Sequence, residues 1–348
     1  MRFSKSVHVI GCHAEGEIGN VVVGGIPPIP GHTMLDKRRY LREHADWLRQ
    51  LLLKEPRGNV VRSANVVLPS EHPEAAMGYV VMESTEYPVM SGSNTICVAT
   101  VLLESGMVPM SEPVTELTLE SPAGLIRLSC QCRDGKVTGV TFVNQPAFVY
   151  HLDAHVEVVG LGTVTMDVAW GGMTYALVDA RGVGFDLTPS EARELCEVGQ
   201  RIKLAAAEQI PVTHPENPEF AGITQTEWTL PVRREGETLV GRNTVVVSPG
   251  RLDRCPCGTG TSARLAVLHA RGEIRAGQRF VHESIIGTKF DSHIESLTKI
   301  GALDAVVPSV TGQAWITDVS QIGLDPTDPF PTGYTLGDTW MHTRDGGS

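Results

Sequence analysis

Two thiols, an acid and a run of small residues stand together in Asp253-Arg-Cys-Pro-Cys257-Gly-Thr-Gly-Thr-Ser-Ala263. After Cys257 come two glycines and three hydroxyl residues, then a mostly apolar run that stops at Gly272. This reads as a tight glycine turn opening a buried helix, with a glycine stop after its last turn. A cysteine at a helix start feels the positive end of the helix dipole and the uncapped N–H groups of the first turn. Both favour the thiolate, the reactive form. The same N–H groups can hold a carboxylate. One segment therefore offers a base or nucleophile (Cys257), an anion cradle (Gly258 to Gly260) and a nearby acid (Asp253).

A second segment repeats the first. Ser91-Gly-Ser-Asn-Thr-Ile-Cys-Val-Ala-Thr-Val-Leu-Leu-Glu-Ser-Gly106 aligns without gaps on Cys257 to Gly272. Gly92 falls on Gly258, Thr95 on Thr261, Val101 on Val267, Leu102 on Leu268 and Gly106 on Gly272. A further echo, Glu120-Ser-Pro-Ala-Gly124 against Glu283-Ser-Ile-Ile-Gly287, follows in the same order. Two matches at nearly the same offset argue for a chain of two similar halves, each giving one helix N-terminus to a shared site. That arrangement suits chemistry on both faces of a small acid.

The elements that must position these turns follow from pattern. Strands are expected at Val7 to Ile10 and Gly19 to Gly25, then a helix from Met34 to Lys54, closed by Pro56 and Gly58. Ala64 to Leu68 and Gly78 to Met82 read as strands leading to Ser91. Glu116 to Leu119, Leu125 to Cys130 and Val137 to Val143 follow as strands, with a hairpin signal at Asp134-Gly135. The second half repeats the order. Strands at Val164 to Val168 and Tyr175 to Val178 precede a helix from Pro189 to Ala207, with Thr188 as its N-cap. Strands around Thr224 to Leu230 and Asn243 to Ser248 lead to the Cys257 turn, and more strands run from Arg279. The fold class is α+β, each half a sheet wrapped around a central helix. The halves are placed at 1–157, joined by the C-terminal tail, and 158–325. From Pro326 the composition reads as a surface extension.

Composition narrows the function. With 348 residues the chain can build two domains with good cores. A net charge of −11 without a basic block weighs against nucleic acid and anionic membrane as partners. Aromatic content of 5% gives no base-stacking platform. No apolar run reaches the length of a membrane span, and the short polar start lacks a signal-peptide core. Seven cysteines without a scaffold spacing are expected to be free thiols in a reducing cytoplasm. The C-x-C pairs Cys130/Cys132 and Cys255/Cys257 have the wrong spacing for zinc, so no metal is expected. Gly258-Thr-Gly260-Thr is neither a Walker A nor a dinucleotide fingerprint.

The paired segments resemble the proline racemase family, which includes 4-hydroxyproline epimerases and trans-3-hydroxyproline dehydratases of diaminopimelate-epimerase-like fold. His13-Ala-Glu-Gly16, Gly24-Gly25-Ile-Pro27 and Trp170-Gly-Gly172 support the longer Asp253 to Ala263 string. The resemblance implies that Cys257 is the second catalytic cysteine and that Ser91 stands where the first would be. It also implies that Gly92, Ser93, Gly258 and Thr259 hold the substrate carboxylate through backbone N–H groups, and that Asp253 contacts the amine. No cofactor is implied: neither metal, PLP nor nicotinamide. The expected partner is a proline-like amino acid, with a homodimer as a possible assembly. Many members have a histidine two residues after the first cysteine, followed by glycine. This chain has Ser93 and Asn94.

The serine shifts the expected chemistry. A serine hydroxyl is too weak an acid to serve as a base without a dedicated partner, and no histidine lies near Ser91 in sequence. Racemisation by two equal bases is disfavoured. β-Elimination, by contrast, asks for one good base and one weak acid. The first expectation is therefore dehydration of trans-3-hydroxy-L-proline to Δ1-pyrroline-2-carboxylate through its enamine; which of Ser91 and Cys257 takes the α-proton stays open. The alternative is a 4-hydroxyproline 2-epimerase, as sole or second activity. A further alternative is a small amino-acid-binding protein without catalysis. Plainer roles compete with each assignment: Cys257 as a buried structural thiol, Ser91 as a helix cap, Asp253 as a turn cap. His13, His214 and His282 read as structural histidines, with a supporting role open for His13 and Glu15 in their motif.

Overall fold

The computed structural model describes residues 3–341. The chain divides into two compact units, one from Met1–Val140 with Gln313–Ser348 and the other Thr141–Gly312. The joins at 140/141 and 312/313 differ from the 157/158 and 325 read from sequence. Ala147–Val158 pairs antiparallel with Gly162–Trp170, which assigns that strand to the second unit. Ala314–Leu324 pairs along Lys5–Ala14, which assigns the late strand to the first.

Each unit is built on one pairing sequence. In the first, Lys5–Ala14 runs antiparallel to Glu17–Gly24, which lies parallel to Ser63–Leu68. That strand is antiparallel to Met77–Met82, which is parallel to Val114–Ser121, itself antiparallel to Gly124–Arg133. In the second, Gly162–Trp170 is antiparallel to Thr174–Asp179, then parallel to Gln225–Thr229. Next come Thr238–Val247, antiparallel, Phe280–Glu283, parallel, and Lys289–Ile300, antiparallel. A parallel link needs a long crossover, and helices supply it. Met34–His44 with Trp47–Leu53, then Gly92–Glu104, serve the first unit; Ala192–Gln209 and Gly258–Ala270 serve the second. The repeat read from two short segments thus extends to the whole topology of both units.

The second helix of each unit is its centre. Gly92–Glu104 and Gly258–Ala270 both run 13 residues. Every residue from Gly92 to Leu103 is buried, as are Gly258 to Ala263 and Leu265 to Leu268. A helix that is apolar on all sides must be enclosed, and strands of its own unit enclose each one. Both end on a left-handed glycine, Gly106 (φ 74°) and Gly272 (φ 71°), the stops expected from sequence. In the first unit Leu41, Leu48, Leu51 and Leu52 pack with Val66, Val80 and Met82. Burying each such side chain contributes about 1.5–3 kcal/mol.

The single helix expected over Met34 to Lys54 is two. Met34–His44 begins in a Thr33/Asp36 capping box. It stops at Ala45, and Asp46 then opens Trp47–Leu53. Asp46 takes hydrogen bonds from Arg49, Gln50 and the Tyr87 hydroxyl, so its side chain is worth more at a helix start than inside a helix. Thr188 forms a capping box with Glu191 where the second long helix was expected to begin; a short 3₁₀ turn there precedes Ala192–Gln209. The tail from Pro326 is held rather than extended. Asp328 pairs with Arg57, Tyr334 N–H donates to Glu55 O (2.9 Å), and Trp340 is buried. The end of that tail lies outside the described residues. Among the described residues no helix is long and apolar enough to cross a membrane.

Candidate active site

Ser91 and Cys257 both occupy the residue before the first turn of a buried helix, the place assigned to them from sequence. Gly92, Ser93, Gly258 and Thr259 form those first turns. Their N–H groups have no carbonyl four residues back within the helix to bond, and helix starts of this kind can hold an anion.

The Cys257 turn is strained. Cys257 has φ 61° and ψ 113°, a left-handed backbone that a side chain adopts at a cost of about 1–3 kcal/mol. The strain places Sγ inside its own turn, where it accepts from Gly260 N–H at 3.4 Å. Cys257 N–H in turn meets Cys255 Sγ at 3.3 Å. Tyr175 Oη lies 3.5 Å from Cys257 Sγ and 2.6 Å from Thr259 Oγ1. Asp253 follows the short strand Arg251–Leu252 and is buried, its Oδ1 3.3 Å from Arg251 Nη1.

Electrostatics here correct one expectation. The helix tip was expected to favour the thiolate. Instead burial pushes the Cys257 thiol well above its usual range, and the charges of Asp253 and Glu227 push the same way. Hydrogen bonds from Tyr175 and Gly260 N–H act in the opposite direction but do not win. Removing a thiolate from water outweighs what one helix end returns. A positive charge or a proton acceptor close to Cys257 would act the other way, toward the thiolate.

Glycine geometry explains the Trp170-Gly-Gly172 motif. A Cβ on Gly171 would sit 2.1 Å from Thr259 O and 2.5 Å from Ala263 N. The backbone after the Gly162–Trp170 strand is pressed onto the first turn of the Cys257 helix, which only glycine permits. Asn144 Nδ2 braces the contact, donating to Gly171 O (2.8 Å) and Ser262 Oγ (2.9 Å).

The Ser91 turn is organised differently. Ser91 is half-buried with an ordinary extended backbone (φ −148°). Its Oγ accepts from Asn94 Nδ2 at 2.9 Å. Asn94 Oδ1 in turn accepts from Asn65 Nδ2 (2.7 Å) and Ser63 Oγ (2.8 Å). Ser93 is buried beside them. In the other motif of this unit, His13 Nδ1 accepts from Gly16 N–H at 3.1 Å and its ring stacks on Trp315, a structural use.

Sequence reading missed Tyr175 and Glu227. Tyr175 lies in an apolar strand and carries no signal apart from its hydroxyl. Glu227 does carry one, a lone acid inside Gln-Thr-Glu-Trp-Thr, an otherwise uncharged strand. His282 is fully buried, its Nδ1 2.9 Å from Thr261 Oγ1, and burial holds it well below its usual pKa.

A sequence profile described as proline racemase matches residues 9–335. A hydroxyproline epimerase from Agrobacterium vitis, solved with bound trans-4-hydroxy-L-proline, is 39% identical over 98% of both chains with a TM-score of 0.91. A probable proline racemase from Agrobacterium radiobacter K84, solved with bound carbonate, is 39% identical over 96% of this chain and 98% of that one, TM-score 0.90. The Bacillus anthracis phenazine biosynthesis protein of the PhzF family shares the fold alone, with 12% identity over 91% of this chain and 99% of its own, TM-score 0.56.

Proposed function

The chain belongs to the proline racemase family, and from that premise we propose that it is a 4-hydroxyproline 2-epimerase, interconverting trans-4-hydroxy-L-proline and cis-4-hydroxy-D-proline. One observation carries this reading: a hydroxyproline epimerase holding trans-4-hydroxy-L-proline matches this chain at 39% identity along nearly its whole length. In this reading the first-turn N–H groups of Gly92, Ser93, Gly258 and Thr259 bind the substrate carboxylate, and Asp253 faces its amine. Inversion at C2 needs the hydrogen to leave one face and another to arrive on the opposite face. Cys257 serves one face and Ser91 the other. The substrate ammonium also supplies what the Cys257 thiol lacks, a positive charge to offset Asp253 and favour the thiolate.

Dehydration of trans-3-hydroxy-L-proline is the second reading, and one contact favours it. Ser91 Oγ accepts the Asn94 amide hydrogen, so its own O–H is left to donate, which suits a weak acid for a departing hydroxyl. The order of the two activities is thus reversed from the sequence expectation, because the similar solved epimerase weighs on the side of inversion. The test is incubation of purified protein with trans-4-hydroxy-L-proline, trans-3-hydroxy-L-proline and L-proline, read by chiral chromatography and by o-aminobenzaldehyde trapping of pyrroline. Formation of cis-4-hydroxy-D-proline is expected. Inversion of L-proline with 4-hydroxyproline untouched would overturn the proposal.

A further inference from the structure

Behind the Cys257 turn stands a buried carboxyl that the reading above does not use. Glu227 is fully buried on Gln225–Thr229. Its Oε1 accepts from Asn243 Nδ2 at 2.9 Å, and the same amide donates to Pro256 O at 2.8 Å, the carbonyl just before Cys257. Its Oε2 has no hydrogen-bond partner. Leaving a buried acceptor unmade costs about 1–3 kcal/mol, so its position asks for a reason.

The internal repeat supplies one. Glu227 lies across from Leu177 and Val245, as Asn65 lies across from Val21 and Val81 in the first unit, so the two hold the same place in the repeated topology. Three residues after each turn residue stand Asn94 and Gly260. In the first unit the Asn94 side chain fills the space between Asn65 and Ser91 and bonds both. In the second, Gly260 leaves that space open. The point a Cβ would occupy on Gly260 is 3.0 Å from Glu227 Oε2 and 3.3 Å from Cys257 Sγ. A neutral amide bridge in one half is replaced by an ionisable carboxyl behind a thiol in the other.

We propose that Glu227 is a positioning residue that shares a single proton with Cys257. In the resting pair the proton is on sulfur and Glu227 is a carboxylate. In the reactive pair the S–H bond has broken, one water in the opening at Gly260, within hydrogen-bond reach of both atoms, has taken that proton and given one of its own to Oε2, and the thiolate is ready to take the substrate's C2 hydrogen. The inference rests on Cys257 being a proton handler. Around the sulfur stand Asp253, Tyr175 and Thr259, with Cys255 Sγ against the Cys257 N–H. Around the carboxyl stand Asn243 and, at longer range, Asp253 and Arg264, with His282 beyond Thr261. Burial raises Glu227 to about 7, with Asn243 and Arg264 opposing, so the carboxyl titrates where a proton acceptor is useful.

A shared proton has a particular pH signature. Below the Glu227 transition both groups are protonated, and the thiolate population rises with pH. Above it the pair carries one charge, and its division between sulfur and oxygen no longer depends on pH. Alkylation of Cys257 by iodoacetamide, followed by peptide mass mapping, is therefore expected to rise to about pH 7 and then stay flat to about pH 9. Glu227→Gln keeps the Asn243 hydrogen bond and removes the acceptor. Its alkylation is expected to keep climbing about tenfold per pH unit and to overtake wild type above about pH 7. The pH profile of kcat/KM, which reports the free enzyme, is expected to change in the same way. A wild-type profile that climbs without a plateau overturns the proposal, and so does a plateau that survives in Glu227→Gln. The wild-type profile decides alone if the variant does not fold. Alkylation needs no substrate, so a coupled pair without hydroxyproline turnover would sink the proposed function and leave this inference standing.

Discussion

Cys257→Ala is expected to lower epimerase turnover by about 10³-fold or more, the scale of losing a positioned acid–base group, while leaving the fold intact. The thiol is 8% exposed, is held in its own turn by Gly260 N–H and sits on a left-handed backbone that alanine tolerates as poorly as cysteine. The substitution therefore removes chemistry and little packing. If Cys257 were only a buried structural thiol, the same change would cost about 1 kcal/mol of stability and leave kcat nearly unchanged. Chiral assay of turnover beside thermal unfolding separates the two outcomes. Near wild-type kcat in a variant of lowered Tm would remove Cys257 from the mechanism.

Gly171→Ala is expected to be the most damaging single methyl in the second unit. Both atoms that the new Cβ would meet, Thr259 O at 2.1 Å and Ala263 N at 2.5 Å, are backbone, so no side chain can rotate away. The first turn of the Cys257 helix must move. Overpacking of this kind costs about 3 kcal/mol, the upper end of its usual range. At that size Tm should fall by about 10 °C. A displaced turn should also lower kcat/KM by about 10²-fold, because a shift near 1 Å spoils the alignment of reacting groups. Gly182→Ala is the matched control: nothing lies within 4 Å of its Cβ position and its backbone is not left-handed. Equal melting curves for the two variants would contradict the packing account.

The two turns could be read from sequence because small residues followed by an apolar run and a glycine stop are a local pattern, and its gapless repetition 166 positions later is hard to produce otherwise. The succession of strands and helices in the second half followed from the same repeat, whereas their pairing did not. Long-range events were hidden. The break at Asp46 depends on Tyr87, far along the chain. The glycine pair after Trp170 looks like an ordinary turn until Thr259 and Ala263 are seen against it. The state of Cys257 was misjudged because the balance was struck on the helix end alone, whereas burial of the sulfur outweighs it and the nearness of Glu227 is not visible in sequence. Asn94 was read only as a departure from the family pattern; its role as the bridge from Asn65 to Ser91 depends on strand register.

The central claim is that unequal groups on two helix tips handle the hydrogen on opposite faces of one carbon. Proton NMR of Ser91→Ala in D₂O, with trans-4-hydroxy-L-proline and cis-4-hydroxy-D-proline supplied separately, tests it most directly. The account predicts that deuterium enters C2 of one epimer only, the one whose hydrogen faces Cys257, with retention and without interconversion. Interconversion of the two epimers by Ser91→Ala at close to the wild-type rate would contradict it.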